Sequence, residues 1–91
     1  MAARITLSGA LRDLLTNTAE IDVEGKSLME VIDALDEQFP GFKDRMCDKR
    51  GELRRFVLVF VNGTNVRELQ HLDTRIEPGD RVTFVPAMAG G

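Results

Sequence analysis

The stretch FVLVFVNG, residues Phe56–Gly63, decides the fold of this 91-residue chain. Its first six residues are all valine, leucine or phenylalanine, and a segment that is apolar on both faces is typical of a central β-strand. The Asn-Gly pair that follows is a strong hairpin signal, because both residues tolerate positive φ. We therefore predict that Asn65–Arg67 returns as a short antiparallel strand.

On the C-terminal side of this hairpin, the segment Glu77–Asp80 reads Glu-Pro-Gly-Asp. In a type II turn, proline presets φ at the second position and glycine supplies the positive φ of the third. The turn is predicted to start a last strand over Arg81–Val85, with Val82 and Phe84 on one face. Pro86 ends that strand.

On the N-terminal side, apolar and polar residues alternate near the start of the chain and again over residues 20–24. The first alternation places Ile5 and Leu7 on one face, and the second does the same for Ile21 and Val23. Both patterns predict strands with one solvated face. Asn17 and Thr18 supply turn chemistry between these two strands. Gly25 closes the second strand.

A helix is predicted after the second strand. Ser27 and Glu30 have the spacing of a capping box, and Pro40 ends the helix because it disfavours helical geometry in the residue before it. A short helical turn over residues 42–46 and a charged loop as far as residue 51 follow. The order ββαβββ predicts an α+β roll, in which one long helix covers one face of a four- to five-stranded sheet. The apolar stripe of the helix comprises Leu28, Val31, Ile32, Leu35 and Phe39.

Composition excludes several classes of protein. At 10.1 kDa, with 43% hydrophobic and 30% charged residues, the chain has room for one globular core. A net charge of −3 argues against a nucleic-acid partner. No apolar run approaches the roughly 20 residues of a membrane span, and the N-terminus lacks a signal-peptide core. We expect a cytoplasmic protein without a membrane partner, monomeric when free.

The chain has one cysteine, Cys47, and one histidine, His71. An internal disulfide and a Cys-rich metal site are therefore excluded, and so few reactive side chains equip the chain poorly as a stand-alone enzyme. Cys47 could be a persulfide relay, but a small, partly buried hydrophobe is favoured. His71 is interpreted as a surface residue.

The C-terminal segment carries a family resemblance. It runs from Leu72 through IEPGDRVTFVPAMAGG and ends in Gly90-Gly91. Together with Phe56–Gly63, it makes the chain similar, over essentially its whole length, to the ubiquitin-like sulfur carriers of the MoaD/ThiS type. These include the small subunit of molybdopterin synthase and the thiamine-pathway carrier. The segment GELRRFV and the ending PAMAGG look closest to the carriers that deliver sulfur for cysteine synthesis.

The resemblance implies a ubiquitin-like β-grasp roll with a mixed sheet over residues 1–86 and a flexible tail over residues 87–91. It also implies that the chain is a substrate of enzymes rather than an enzyme. An E1-like adenylyltransferase/sulfurtransferase would use ATP to adenylate the carboxylate of Gly91, which becomes a thiocarboxylate. A sulfur-accepting synthase would then receive the sulfur. The chain itself would bind no cofactor and no metal.

Glycine suits the reactive position, because a missing Cβ leaves the carboxylate unhindered. Gly90 extends this freedom by one residue, and Ala89 and Met88 complete the tail. Met88 is expected to anchor the tail in a groove of a partner. The alternative is that Met88 is exposed and has no role.

The central strand also suggests a docking surface. If its valines face the helix, Leu58 and Phe60 lie on the uncovered sheet face, with Thr83 and Val85 beside them. The resemblance implies that the enzymes of the family dock on this face. The alternative is that a loop or the basic segment 43–55 covers it.

The charges are unevenly distributed. Residues 20–37 hold seven acids against Lys26 alone, whereas residues 43–55 hold six bases against three acids. Solvated surfaces are the favoured interpretation of both segments. Steering of an oppositely charged partner is the alternative.

Three functions remain as hypotheses. The leading one is a sulfur carrier activated at Gly91, and the sequence leaves open whether it serves the cysteine, molybdopterin or thiamine pathway. The second is a ubiquitin-like modifier that forms an isopeptide bond between Gly91 and a lysine. The third is an interaction domain whose sheet binds a partner and whose tail is idle.

Overall fold

The computed structural model describes residues 2–7 and 20–86. Two short 3-10 helices, Val66–Glu68 and His71–Asp73, connect the fourth and fifth strands. The strands and α-helices are β1 Ala3–Leu7, β2 Glu20–Val23, α1 Leu28–Gln38, α2 Phe42–Met46, β3 Val57–Val61, β4 Thr64–Asn65 and β5 Arg81–Pro86.

The strands of the described residues form one sheet in the order β2-β1-β5-β3-β4. β1 and β5 are parallel, and the other neighbouring pairs are antiparallel. The two terminal strands of the fold therefore lie side by side at the centre of the sheet. This arrangement confirms the predicted α+β roll with a mixed sheet, here of five strands.

The start of α1 has the predicted cap in a modified form. The Ser27 hydroxyl oxygen accepts a hydrogen bond from the Glu30 backbone N–H at 3.2 Å. The Glu30 carboxylate accepts from the backbone N–H of Lys26 at 2.8 Å, whereas a capping box uses the N–H of the capping residue itself. A serine cap of this kind stabilises a helix by about 1 kcal/mol.

The core lies between α1 and one face of the sheet. Alternation along β3 buries Val57, Val59 and Val61, and β5 contributes Val82 and Phe84. In α2, the Phe42 ring meets the Phe84 ring edge-on, with 5.5 Å between the ring centroids. The buried residues of α1 are Leu28, Val31, Ile32 and Leu35.

Two further acids of α1, Asp36 and Asp33, contact the start of α2. The Asp36 carboxylate accepts hydrogen bonds from the backbone N–H groups of Gly41 and Lys43, at 3.2 and 3.0 Å. It thereby caps the start of α2, where Gly41 adopts a φ of 97°. Asp33 forms an ion pair with the ammonium group of Lys43 at 2.9 Å. This contact holds the pKa of Lys43 above its usual range.

Two of the three predicted turns lie within the described residues, and both are present. Asn62 and Gly63 have φ values of 52° and 90° in the hairpin, as its tight turn requires. At the second turn Gly79 has a φ of 90°, and the Asp80 N–H donates to the Glu77 carbonyl at 3.0 Å. The turn predicted at residues 17 and 18 lies outside the described residues.

Four strands have boundaries that differ from the predicted ones. β2 ends at Val23 rather than Glu24, and β5 includes Pro86. β4 spans only Thr64–Asn65, not Asn65–Arg67, because the Asn65 side chain accepts the Arg67 N–H at 2.9 Å and caps a 3-10 turn. β3 begins at Val57 rather than Phe56, because residue 56 belongs to a turn. Within the described residues, no helix is long and apolar enough to cross a membrane.

Candidate docking face and C-terminal attachment

The last described residue, Pro86, ends β5 opposite Val57 of β3. The chain continues from there into the residues that the sequence singles out. These are Met88, Ala89, Gly90 and Gly91, which lie outside the described residues, so their assignment as a reactive tail stays a prediction.

The four proposed docking residues lie together on the sheet face opposite α1. Leu58 is the register partner of Val85, and Phe60 is the partner of Thr83. All four are partly exposed, whereas the alternate residues Val57, Val59 and Val61 of β3 and Val82 and Phe84 of β5 are buried in the core. The geometric condition set by the sequence, that the valines of β3 face the helix, is met; docking itself stays a prediction.

The same sheet face changes from apolar to charged across the sheet. On β1, Arg4 forms ion pairs with Glu20 and Asp22 of β2, at 3.2 and 3.3 Å. Arg81, the register partner of Arg4 on β5, lies 3.8 Å from Glu20. The apolar residues of β3 and the C-terminal half of β5 thus adjoin a group of paired charges.

A β-turn precedes β3 at the end of the sheet where the chain leaves β5. The Val57 N–H donates to the Arg54 carbonyl at 3.1 Å, so Arg55 and Phe56 occupy the two central positions. Arg55 is exposed, and 53% of Phe56 is exposed. We call residues 54–57 the entry turn of β3. Sequence periodicity alone assigned Phe56 to the strand and missed this turn.

Two guanidinium groups hold the entry turn. Arg67 donates to the carbonyl oxygens of Val57 and Arg54, at 3.0 Å each. Arg54 in turn donates through Nε and Nη2 to the Asp44 carbonyl, at 3.0 and 2.9 Å. Part of the basic segment is therefore structural, and no sequence signal indicated the role of Arg67, which lies outside that segment.

The remaining sequence candidates behave as surface or core residues. Cys47 is buried in the core, and this burial raises the pKa of its thiol, in agreement with the interpretation as a small hydrophobe. His71 is exposed, as predicted. Within residues 2–7 and 20–86, no group of three or more His, Cys, Asp or Glu side chains is arranged to hold a metal ion.

An open groove lies at the opposite end of the sheet from Pro86. It is bordered by Ala3 at the start of β1 and by Pro78 just before β5. Charged side chains line it, among them Lys26 and Arg75, and Arg75 is already paired with Glu77 at 2.6 Å. The groove is therefore remote from the point where the C-terminal residues leave the sheet.

The topology, with parallel terminal strands at the sheet centre and a helix across one face, defines a ubiquitin-like β-grasp domain. The family model described as the ThiS family matches residues 5–91, and the chain belongs to this family. The chain is 34% identical over 93 residues to the sulfur carrier protein CysO of Mycobacterium tuberculosis, and the match spans 100% of both chains.

Solved structures agree with the fold. A chain of the Amycolatopsis orientalis BexX/CysO complex is similar with a TM-score of 0.91 at 30% identity, covering 99% of this chain and 100% of that chain. The small archaeal modifier protein 1 of Methanosarcina acetivorans has a TM-score of 0.86 at 25% identity, with coverages of 99% and 96%. The predicted fold and family resemblance are thereby confirmed.

Proposed function

We propose that this protein is a sulfur carrier that works as a substrate of enzymes, with the carboxylate of Gly91 as its reactive group. The observation that carries the proposal is the ThiS family match, which runs to Gly91, joined by full-length similarity to a protein named as a sulfur carrier. The fold is compatible with it, because β5 ends five residues before Gly91.

The activation has two balanced steps. A carboxylate oxygen of Gly91 attacks the α-phosphorus of ATP, which forms an acyl-adenylate and releases pyrophosphate. A hydrosulfide ion then attacks the carboxyl carbon and expels AMP, leaving a thiocarboxylate and a proton. An E1-like adenylyltransferase/sulfurtransferase supplies the binding site for ATP, which is the only nucleotide required. This protein contributes the acyl group and the surfaces that present it.

The thiocarboxylate then passes its sulfur to a biosynthetic acceptor on a synthase. Cysteine synthesis is the favoured destination, because the segments GELRRFV and PAMAGG resemble the cysteine-synthesis carriers and one relative with full-length similarity is named sulfur carrier protein CysO. Molybdopterin and thiamine synthesis use the same carrier chemistry and are the other destinations considered. We place the protein in the cytoplasm, where ATP and the biosynthetic enzymes are available.

Deletion of Gly91 tests the activation. The truncated chain should fold normally, because the deleted residue lies beyond the last strand. It should not support ATP–pyrophosphate exchange by the activating enzyme of its own organism, whereas the full chain should. Exchange at equal rates with both chains would contradict the proposal.

A second fate of the activated Gly91 deserves a separate test, because the similarity to a small archaeal modifier protein favours it. In that case the acyl group is transferred to the amino group of a lysine on another protein. Denaturing gels of lysate from the native host, probed for this chain, would then show a ladder of heavier bands. A carrier that does not act as a modifier gives the free chain alone.

A further inference from the structure

The entry turn of β3 presents an unusual pair of side chains. Arg55 and Phe56 occupy its two central positions, where glycine, proline, asparagine, aspartate and serine normally predominate. Phe56 is 53% exposed, and within the described residues it is one of two exposed large apolar residues, the other being Leu69. An aromatic side chain at the corner of a turn stabilises the free protein little by burial.

The turn is nevertheless held firmly. Its carbonyl oxygens at Arg54 and Val57 each accept a hydrogen bond from Arg67 at 3.0 Å. Its first residue is fixed from the other side, because the Arg54 N–H donates to the Met46 carbonyl at 2.9 Å. The same residue's guanidinium group binds the Asp44 carbonyl. A backbone held in this way presents Arg55 and Phe56 with little ordering cost on binding.

The position of the turn indicates which partner meets it. Val57, the last residue of the turn, is paired with Pro86, where the chain leaves the sheet. The five residues from there to Gly91 span at most about 18 Å when extended. An enzyme that holds the Gly91 carboxylate in its active site must therefore bring its surface to this end of the domain.

The charge of the turn indicates the chemistry of that surface. Residues 43–55 carry six bases against three acids in a chain whose net charge is −3. Within the described residues, the ion pairs of this region join Lys43 to Asp33 and Arg50 to Glu52. The guanidinium groups of Arg54 and Arg67 instead donate hydrogen bonds to carbonyl oxygens, which carry no net charge. Neither of these two arginines takes part in the two ion pairs.

We propose that the entry turn is a second docking site for the enzyme that activates Gly91, separate from the apolar sheet face. Phe56 fits an apolar pocket beside the mouth of the enzyme's active-site cleft, and Arg55 meets acidic side chains at the rim of that pocket. This inference rests on the proposed function, since it requires that an enzyme takes up Gly91.

Steady-state ATP–pyrophosphate exchange with the activating enzyme of the same organism tests this site. Phe56→Ala should raise the KM for the carrier about tenfold or more and leave kcat unchanged, because truncation of a central aromatic anchor weakens docking. Arg55→Glu should also raise KM, most strongly at low salt, because the lost attraction is screened at high salt.

Two control variants match these changes. Leu69→Ala removes another exposed apolar side chain, and Lys26→Glu reverses an exposed charge at the far end of the sheet; both should keep the wild-type KM. Wild-type KM values for Phe56→Ala and Arg55→Glu, or a fall in kcat alone, would overturn the docking site while the proposed function stands. No exchange with the wild-type chain would overturn the proposed function, and the docking site with it.

Discussion

Asp48 illustrates how single side chains organise the charged loop before β3. Its carboxylate accepts hydrogen bonds from the backbone N–H groups of Arg50 and Glu52, at 2.9 and 3.1 Å. These contacts hold the pKa of Asp48 below its ordinary value of 3.8, the bond from Glu52 having the largest effect. The sequence predicted a charged loop here. It could not show which acid orders the loop, because the composition of the segment does not distinguish Asp48 from Glu52.

This lowered pKa predicts a pH dependence of stability. Because the pKa of Asp48 is depressed in the folded state, its contribution is present above the unfolded value and is lost as the pH falls through the folded value. Asp48→Asn should therefore lower the free energy of unfolding at neutral pH, and the difference from wild type should shrink in acid. Urea unfolding of both proteins at neutral pH and in acid measures this difference in the free energy of unfolding. A constant difference would contradict the role of the ionised carboxylate, and Asp73→Asn, at an exposed aspartate, is the control.

Cys47 carries the second residue-scale prediction. Its thiol is buried in the core with a raised pKa, and a thiol of this kind is a poor nucleophile. Cys47→Ala should therefore leave the yield of thiocarboxylate unchanged. The native thiol should also react slowly with iodoacetamide until the protein is unfolded. Loss of the thiocarboxylate in a folded Cys47→Ala variant would show instead that the cysteine takes part in sulfur transfer.

Among the elements, the hairpin turn and the turn before β5 are bound to each other. The Asn62 side-chain amide donates to the Asp80 carboxylate at 3.0 Å, and its oxygen accepts the Arg81 N–H at 2.9 Å. The other oxygen of Asp80 accepts the Glu77 N–H at 2.8 Å. Local turn chemistry predicted each turn correctly. It could not predict this contact, because the two residues are 18 positions apart.

A double-mutant cycle tests the connection between the turns. Asn62→Ala should cost about 1–2 kcal/mol, because it removes hydrogen bonds and places alanine at positive φ. Asn62→Gly tolerates that φ and separates the two effects. With Asp80→Ala, the cycle should give a coupling free energy of about 0.5–1.5 kcal/mol from denaturant unfolding. Additive losses would mean that the two turns are energetically independent.

At the scale of the whole molecule, the sequence predicted the roll, its helix and the orientation of β3 correctly. Alternation and turn residues are local signals, so these features follow from neighbouring residues. The entry turn escaped prediction, because Phe56 continues the apolar run of β3 and the contacts that hold the turn come from residues distant in the sequence, such as Arg67 and Met46. The charged half of the sheet face also depends on strand order, which brings Arg4 and Arg81 together.

The chain leaves β5 at one end of the sheet, beside an exposed turn. The proposed function depends on the carboxylate of Gly91, five residues further along the chain. The most direct test is the intact mass of the chain after incubation with ATP, hydrosulfide and the activating enzyme of its own organism. We predict a mass shift equal to the replacement of one oxygen by sulfur, located in the C-terminal peptide. An unchanged mass, or a sulfur adduct at Cys47 instead of Gly91, would contradict the account.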